Sequence, residues 1–125
     1  MIAGSVNKNY EAVISLVARG PTGNSRKIDA VIDTGFSGFL TLPFSIIVAL
    51  SLRWRGEAQA ILGDGRRHQF DVYSATVEWD GRERHVEVDV AETSPLVGMG
   101  LLAGHDLRIE AVAGGKVSIQ ALSVQ

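Results

Sequence analysis

The chain contains no cysteine among its 125 residues. Disulfides, thiolate nucleophiles and cysteine-ligated zinc are excluded outright. Histidine is scarce, and His68, His85 and His105 share no metal-binding spacing such as His-x-x-x-His. No metal and no cofactor are expected. The segment "GDGRRH", residues 63–68, lacks the glycine spacing and following helix of a phosphate loop or dinucleotide site. There is no Gly-x-Ser-x-Gly elbow either, so Ser37 has no local frame for a serine hydrolase. A dominant charge is missing as well. The net charge is −2, and acidic residues interleave the basic ones at "GRERH", so neither nucleic acid nor an anionic membrane surface is an expected partner. Long apolar runs are absent: "FLTLPFSIIVALSL", residues 39–52, is too short to span a bilayer and is interrupted by Pro43. The first residues lack a basic region followed by an apolar core, so a cytoplasmic protein is expected.

What remains is the composition of an ordinary folded domain, with 46% hydrophobic and 21% charged residues. Its length suits one domain spanning residues 1–125 with a core of its own. The patterning is that of strands. "EAVISLVA" alternates with period two, "GPTGNS" is dense in turn formers, and "KIDAVID" returns, which predicts a hairpin over residues 11–33. "FLTLP" reads as a short strand, and Pro43 opens a short helix over "FSIIVALSL". Asp-Gly pairs at Asp64-Gly65 and Asp80-Gly81 predict two further hairpins, because both turn positions tolerate positive φ. "GMGLLAG" is a second helix candidate, followed by strands at "LRIEAV" and "KVSIQAL" around Gly114-Gly115. The sum is an all-β chain of roughly seven to nine strands with two short helices, closed or partly closed into a barrel. Trp54 and Trp79 are read as packing residues in preference to a pocket lining.

One stretch asks for chemistry. "VIDTGFSG", residues 31–38, carries Asp33 out of an apolar strand into a turn, and an apolar strand follows. Asp-Thr-Gly alone is an ordinary turn sequence. A second apolar-apolar-Gly element, Leu96-Val97-Gly98 in "PLVGMGLL", lies 65 residues further on (98 − 33). With both elements in place the chain resembles the retropepsin-like aspartic proteases, particularly their small single-domain prokaryotic forms. The resemblance covers roughly residues 11–122 and rests on Ile32-Asp33-Thr34-Gly35, on Leu96-Val97-Gly98 with a helix after it, and on a hairpin between them.

That resemblance implies a closed β-barrel and an aspartic endopeptidase with Asp33 as the catalytic group. Such chemistry needs two carboxylates sharing one proton, because like charges a few ångströms apart do not both ionise. The chain has a single Asp-Thr-Gly, so the resemblance implies a homodimer in which each copy contributes Asp33, with the termini free to add interface strands. Thr34 and Gly35 support the loop. Substrate contacts are expected from Phe36, from the flap residues Leu62, Gly63, Asp64 and Gly65, and from Leu96, Val97 and Gly98. The substrate implied is a peptide or unfolded protein. Where the family carries Ala or Ser directly after the glycine, this chain has Phe36, whose ring either crowds the site or turns away into the core. The first arrangement favours a catalytically inactive binding or dimerisation module on the same fold; the intact Asp-Thr-Gly favours the enzyme.

Overall fold

The computed structural model describes residues 1–123. The elements, in chain order, are β1 (Ile2–Val6), β2 (Ala12–Arg19), β3 (Ser25–Ile32), β4 (Leu40–Leu42), α1 (Phe44–Ala49), β5 (Arg53–Ile61), β6 (Arg67–Trp79), β7 (Arg82–Val90), β8 (Leu96–Val97), α2 (Met99–Leu102), β9 (His105–Ile109) and β10 (Lys116–Ala121). The chain is all-β. Period-two alternation works as expected in β2, where Ala12, Ile14, Leu16 and Ala18 are buried and the residues between them are less so. β2 and β3 form the first hairpin, in register from Val13 opposite Val31 to Arg19 opposite Ser25. β6 and β7 are joined at Asp80-Gly81, both at positive φ (51° and 77°), which matches the right-handed twist of the strands.

The strand order is β5-β6-β7-β4-β8-β3-β2-β1-β10-β9, and β6 also pairs with β2. That extra pairing turns β6-β7-β4-β8-β3-β2 into a closed circuit. Its interior holds Ile14, Leu16, Ile28, Leu40, Leu42, Val77, Val88 and Val97, and Leu101 of α2 packs with them. Trp79 belongs to this core, with its indole Nε1 donating to His105 Nε2 at 3.2 Å. Trp54 lies exposed on β5 and donates to Asp71 Oδ1.

Three details depart from the sequence reading. The strand total rises through β1 and the two-residue β8, both too short or too weakly patterned to register as period-two segments. α1 stops at Ala49, because Ser51 takes φ 52° and Leu52 bonds back to Ile47, which returns the chain toward the core. The third is a correction. β1 is not a free interface strand: it pairs with β2 on one side and with β10 on the other, so both of its edges are already filled within the chain.

Candidate active site

Asp33 follows directly on the end of β3, and the backbone around it is held from two sides. β8 lies between the strand that enters the loop and the strand that leaves it. It runs parallel to β3, with Val31 opposite Leu96 and Ile32 opposite Val97, and antiparallel to β4, with Leu40 opposite Val97. The Asp33 amide donates to the Val97 carbonyl at 2.9 Å, and the Val31 amide to Pro95 at 2.9 Å. From below, Gly98 N–H bonds Phe39 O (3.0 Å), Met99 N–H bonds Phe36 O (2.8 Å) and Gly100 N–H bonds Gly38 O (2.9 Å). Three successive amides therefore clamp the loop 33–39 onto the start of α2. Thr41 adds a fourth tie: the only buried polar residue among those described, it accepts the Leu96 amide through Oγ1 at 2.9 Å.

Within the loop, Asp33 heads a tight turn. Its carbonyl accepts the Phe36 amide at 3.1 Å, and its Oδ1 accepts the Gly35 amide at 2.9 Å. No other hydrogen bond to this carboxylate is formed among the described residues, and the side chain is half-exposed. It is thus a carboxylate held by its backbone, with one oxygen oriented and the other open. Thr34 and Gly35 are exposed beside it. Thr34 lines a cleft of about 400 Å³ together with Val6, Tyr10, Ile32, Ile109 and Ala111.

The Phe36 ring is half-buried and lies against two glycines. A Cβ placed on Gly38 would come within 2.5 Å of the ring, and one on Gly98 would meet Cδ2 at the same 2.5 Å. The ring therefore fills the space those two glycines leave. This coupling has a sequence correlate, the pairing of a large residue after Asp-Thr-Gly with glycines at 38 and 98, but only the fold shows that the three meet. Expectation and structure also part at the second motif. Val97 is fully buried, and the Gly98 Cα faces Gly38 O and the Phe36 ring, so these two carry the loop and offer no surface to a substrate. Leu96 is half-buried.

β5 and β6 form the central hairpin, paired from Glu57 opposite Asp71 to Ile61 opposite Arg67. Its tip, Leu62 to Arg66, is closed by Leu62 N–H to Arg66 O (2.8 Å) and Gly65 N–H to Leu62 O (2.9 Å), with Gly65 at φ 83°. Asp64 is engaged there: its carboxylate accepts the Arg66 amide (3.0 Å) and the guanidinium Nε (2.5 Å), contacts that lower its pKa, the amide first. Nothing lies near Gly63, while Ile61 and Leu62 are exposed. At the hairpin root Val72 pairs with Asp89, and Asp89 Oδ2 is 3.4 Å from where a Gly38 Cβ would stand. A cleft of about 450 Å³ opens there, lined by His68, Phe70, Asp89, Val90 and Glu92. Burial pushes the Asp89 carboxyl above its ordinary value, and neighbouring Glu87 adds to the shift. Among the described residues no group of three or more His, Asp or Glu could hold a metal, and no helix is long and apolar enough to cross a membrane.

No family model and no curated protein matches this sequence. Solved structures do. A retropepsin-like aspartic protease from Rickettsia conorii superimposes with a TM-score of 0.60 at 19% identity, over 98% of this chain and 91% of that one. The EIAV protease, in complex with the inhibitor HBY-793, superimposes with a TM-score of 0.58 at 19% identity, over 74% of this chain and 85% of that one. The chain has the retropepsin-like fold. The retropepsin-like frame accounts for the position of β8: a strand of two residues has little pairing energy of its own, yet it is what ties β3, β4 and the Asp33 loop together.

Proposed function

We propose that the protein is an aspartic endopeptidase that works as a homodimer, with Asp33 of each copy facing the other across a twofold axis. The observation that carries this reading is the clamped loop: a half-exposed carboxylate, oriented by Gly35 N–H and immobilised through Val97 and Met99. A rigid carboxylate pair is what hydrolysis by this route needs. One Asp33, ionised, takes a proton from water as the water oxygen attacks the scissile carbonyl carbon. The other, protonated, delivers its proton to the carbonyl oxygen, giving a neutral gem-diol. Proton return to the amide nitrogen then releases the two peptide ends.

The hairpin tip, Leu62 to Gly65, is read as a flap that covers a bound peptide and excludes water. Its exposed Ile61 and Leu62 and the open space around Gly63 suit a mobile apolar lid. Asp64 stabilises the tip through Arg66 and is assigned no substrate contact. The Phe36 ring lies against Gly38 and Gly98 while the Asp33 side chain stays half-exposed, which supports the enzyme over a silent binding module. A cysteine-free chain acting on peptides or unfolded proteins suits a reducing cytoplasm. The test is Asp33→Asn on an unfolded-protein substrate between about pH 4 and 7. The amide keeps the size of the carboxylate but passes no proton, so turnover disappears while fold and dimer persist; equal cleavage by both proteins would sink the reading.

A further inference from the structure

We propose that a cleft on the outer face of the barrel, where β2 gives way to β5, binds a phosphoryl group held by Arg53 and Arg55. The site is separate from the Asp33 loop and does not depend on its chemistry. The cleft follows from the pairing of β6. β7 occupies one edge of β6 from Val72 to Trp79. The other edge bonds β5 as far as Ser74, opposite Arg53, and then bonds β2 from Thr76, opposite Arg19. Two strands thus share one edge in succession, and a cleft of about 430 Å³ opens there. Ser74 and Thr76 alternate with the buried Ala75 and Val77, so they face outward onto it. One wall is firmly seated: a Cβ on Gly20 would stand 1.7 Å from Leu50 O, so the turn after β2 lies against the end of α1.

Arg19, Arg53, Arg55, Ser74, Thr76 and His85 make up the polar lining, and no acidic residue lines the cleft. Arg19 is already engaged, by Glu83 and, at 3.8 Å, by Glu78. Arg53 and Arg55 are exposed and form no ion pair among the described residues. Arg55 falls at the register shift between Trp54 and Gly56; a bulge of this kind re-aims a side chain, and here two guanidiniums border one cleft. Thr76 Oγ1 and His85 Nδ1 lie 3.0 Å apart, and with the hydroxyl as donor the ring proton stays on Nε2. Two unpaired guanidiniums, the Ser74 hydroxyl and the His85 imidazole offer more donors than the two oxygens of a carboxylate use. The three oxygens of a phosphoryl group, carrying nearly two negative charges, match them. A second cleft, of about 350 Å³, shares Arg55, Ser74 and His85 and runs on to Phe39, leaving room for a chain that carries the group.

The experiment titrates inorganic phosphate, a phosphoserine peptide and the same peptide unphosphorylated into the protein at constant ionic strength, followed by amide NMR shifts. Either phosphate probe should move the amides of Ser74, Thr76 and His85, and the unphosphorylated peptide should not. In Arg53→Ala/Arg55→Ala the affinity should fall by about tenfold or more. Both positions are exposed, so that variant keeps the wild-type fold and Tm. Arg53→Lys/Arg55→Lys keeps the charge without the fork geometry and should recover only part of the loss. The two probes also separate the sources of the group. Tighter binding of the phosphopeptide than of the ion names a peptide carrier, and equal or weaker binding names the free ion. Three results would each overturn the site: no shift with either phosphate probe, an undiminished affinity in the double alanine variant, or succinate binding as tightly as phosphate.

Discussion

Gly98→Ala tests the support under the Asp33 loop. Gly98 has φ −102° and ψ 178°, extended backbone open to any residue, so the substitution brings no conformational penalty of its own. Its effect is steric. The new methyl would stand 2.4 Å from Gly38 O, 2.5 Å from the Phe36 ring and 2.7 Å from Phe36 O. Two of those atoms are backbone oxygens already holding Gly100 and Met99 N–H, so they move only if the clamp moves with them. Overpacking in a filled core costs about 1–3 kcal/mol, and immobile neighbours put this site near about 2–3 kcal/mol. For a domain of this size that lowers Tm by about 5–12 °C. A loop displaced by even about 1 Å also costs on the order of a hundredfold in turnover. Gly63→Ala is the matched control, because nothing lies within 4 Å of its added methyl; its Tm should stay within about 2 °C of wild type. Thermal unfolding by circular dichroism and peptide cleavage, run on both variants, give the comparison. A Gly98→Ala protein with wild-type Tm and turnover would refute the reasoning.

Other consequences follow from single contacts. Thr41→Val removes the acceptor of the Leu96 amide at a site only 6% exposed, so stability falls by about 1–3 kcal/mol, measured by urea denaturation; a change below about 0.5 kcal/mol would contradict the tie. Asp89→Asn acts with the opposite sign. Burial, then Glu87, raises the Asp89 pKa above 3.8, so the folded state holds the proton more tightly than the unfolded chain. The resulting stability is complete below that unfolded value and is lost as pH rises through the folded one. The asparagine variant is therefore more stable than wild type near neutral pH, and the gain shrinks as pH falls through the raised folded-state value and is gone below 3.8; urea midpoints across that range check it, and a destabilised variant at neutral pH would contradict it.

The strand pattern was legible wherever burial alternates, as in β2, and wherever a turn has backbone chemistry of its own, as at Asp80-Gly81. The Asp33 loop was legible because Asp-Thr-Gly and Leu96-Val97-Gly98 are local strings. What joins them was not. β8 has two residues, too few for periodicity, and its role comes from long-range pairing with β3 and β4. The direction of the Phe36 ring depended on space at Gly38 and Gly98, a packing fact that no local pattern carries. β1 was missed for a related reason. "IAGSV" is a weak strand by itself and becomes one because β2 and β10 both bond to it. β9 shows a boundary error with a clear cause: the strand begins at His105, held by Trp79, and stops at Ile109 because the Glu110 carboxylate then turns to cap the Lys116 amide.

Subunit mixing tests the central claim most directly. Wild-type and Asp33→Asn chains are combined in varying ratio at constant total concentration, allowed to exchange partners, and assayed on one peptide substrate. If each site requires Asp33 from both copies, activity follows the square of the wild-type fraction, so an equal mixture retains about one quarter of the wild-type rate. A linear dependence, with about one half of the rate retained at equal mixture, would show that one Asp33 suffices and contradict the two-carboxylate site.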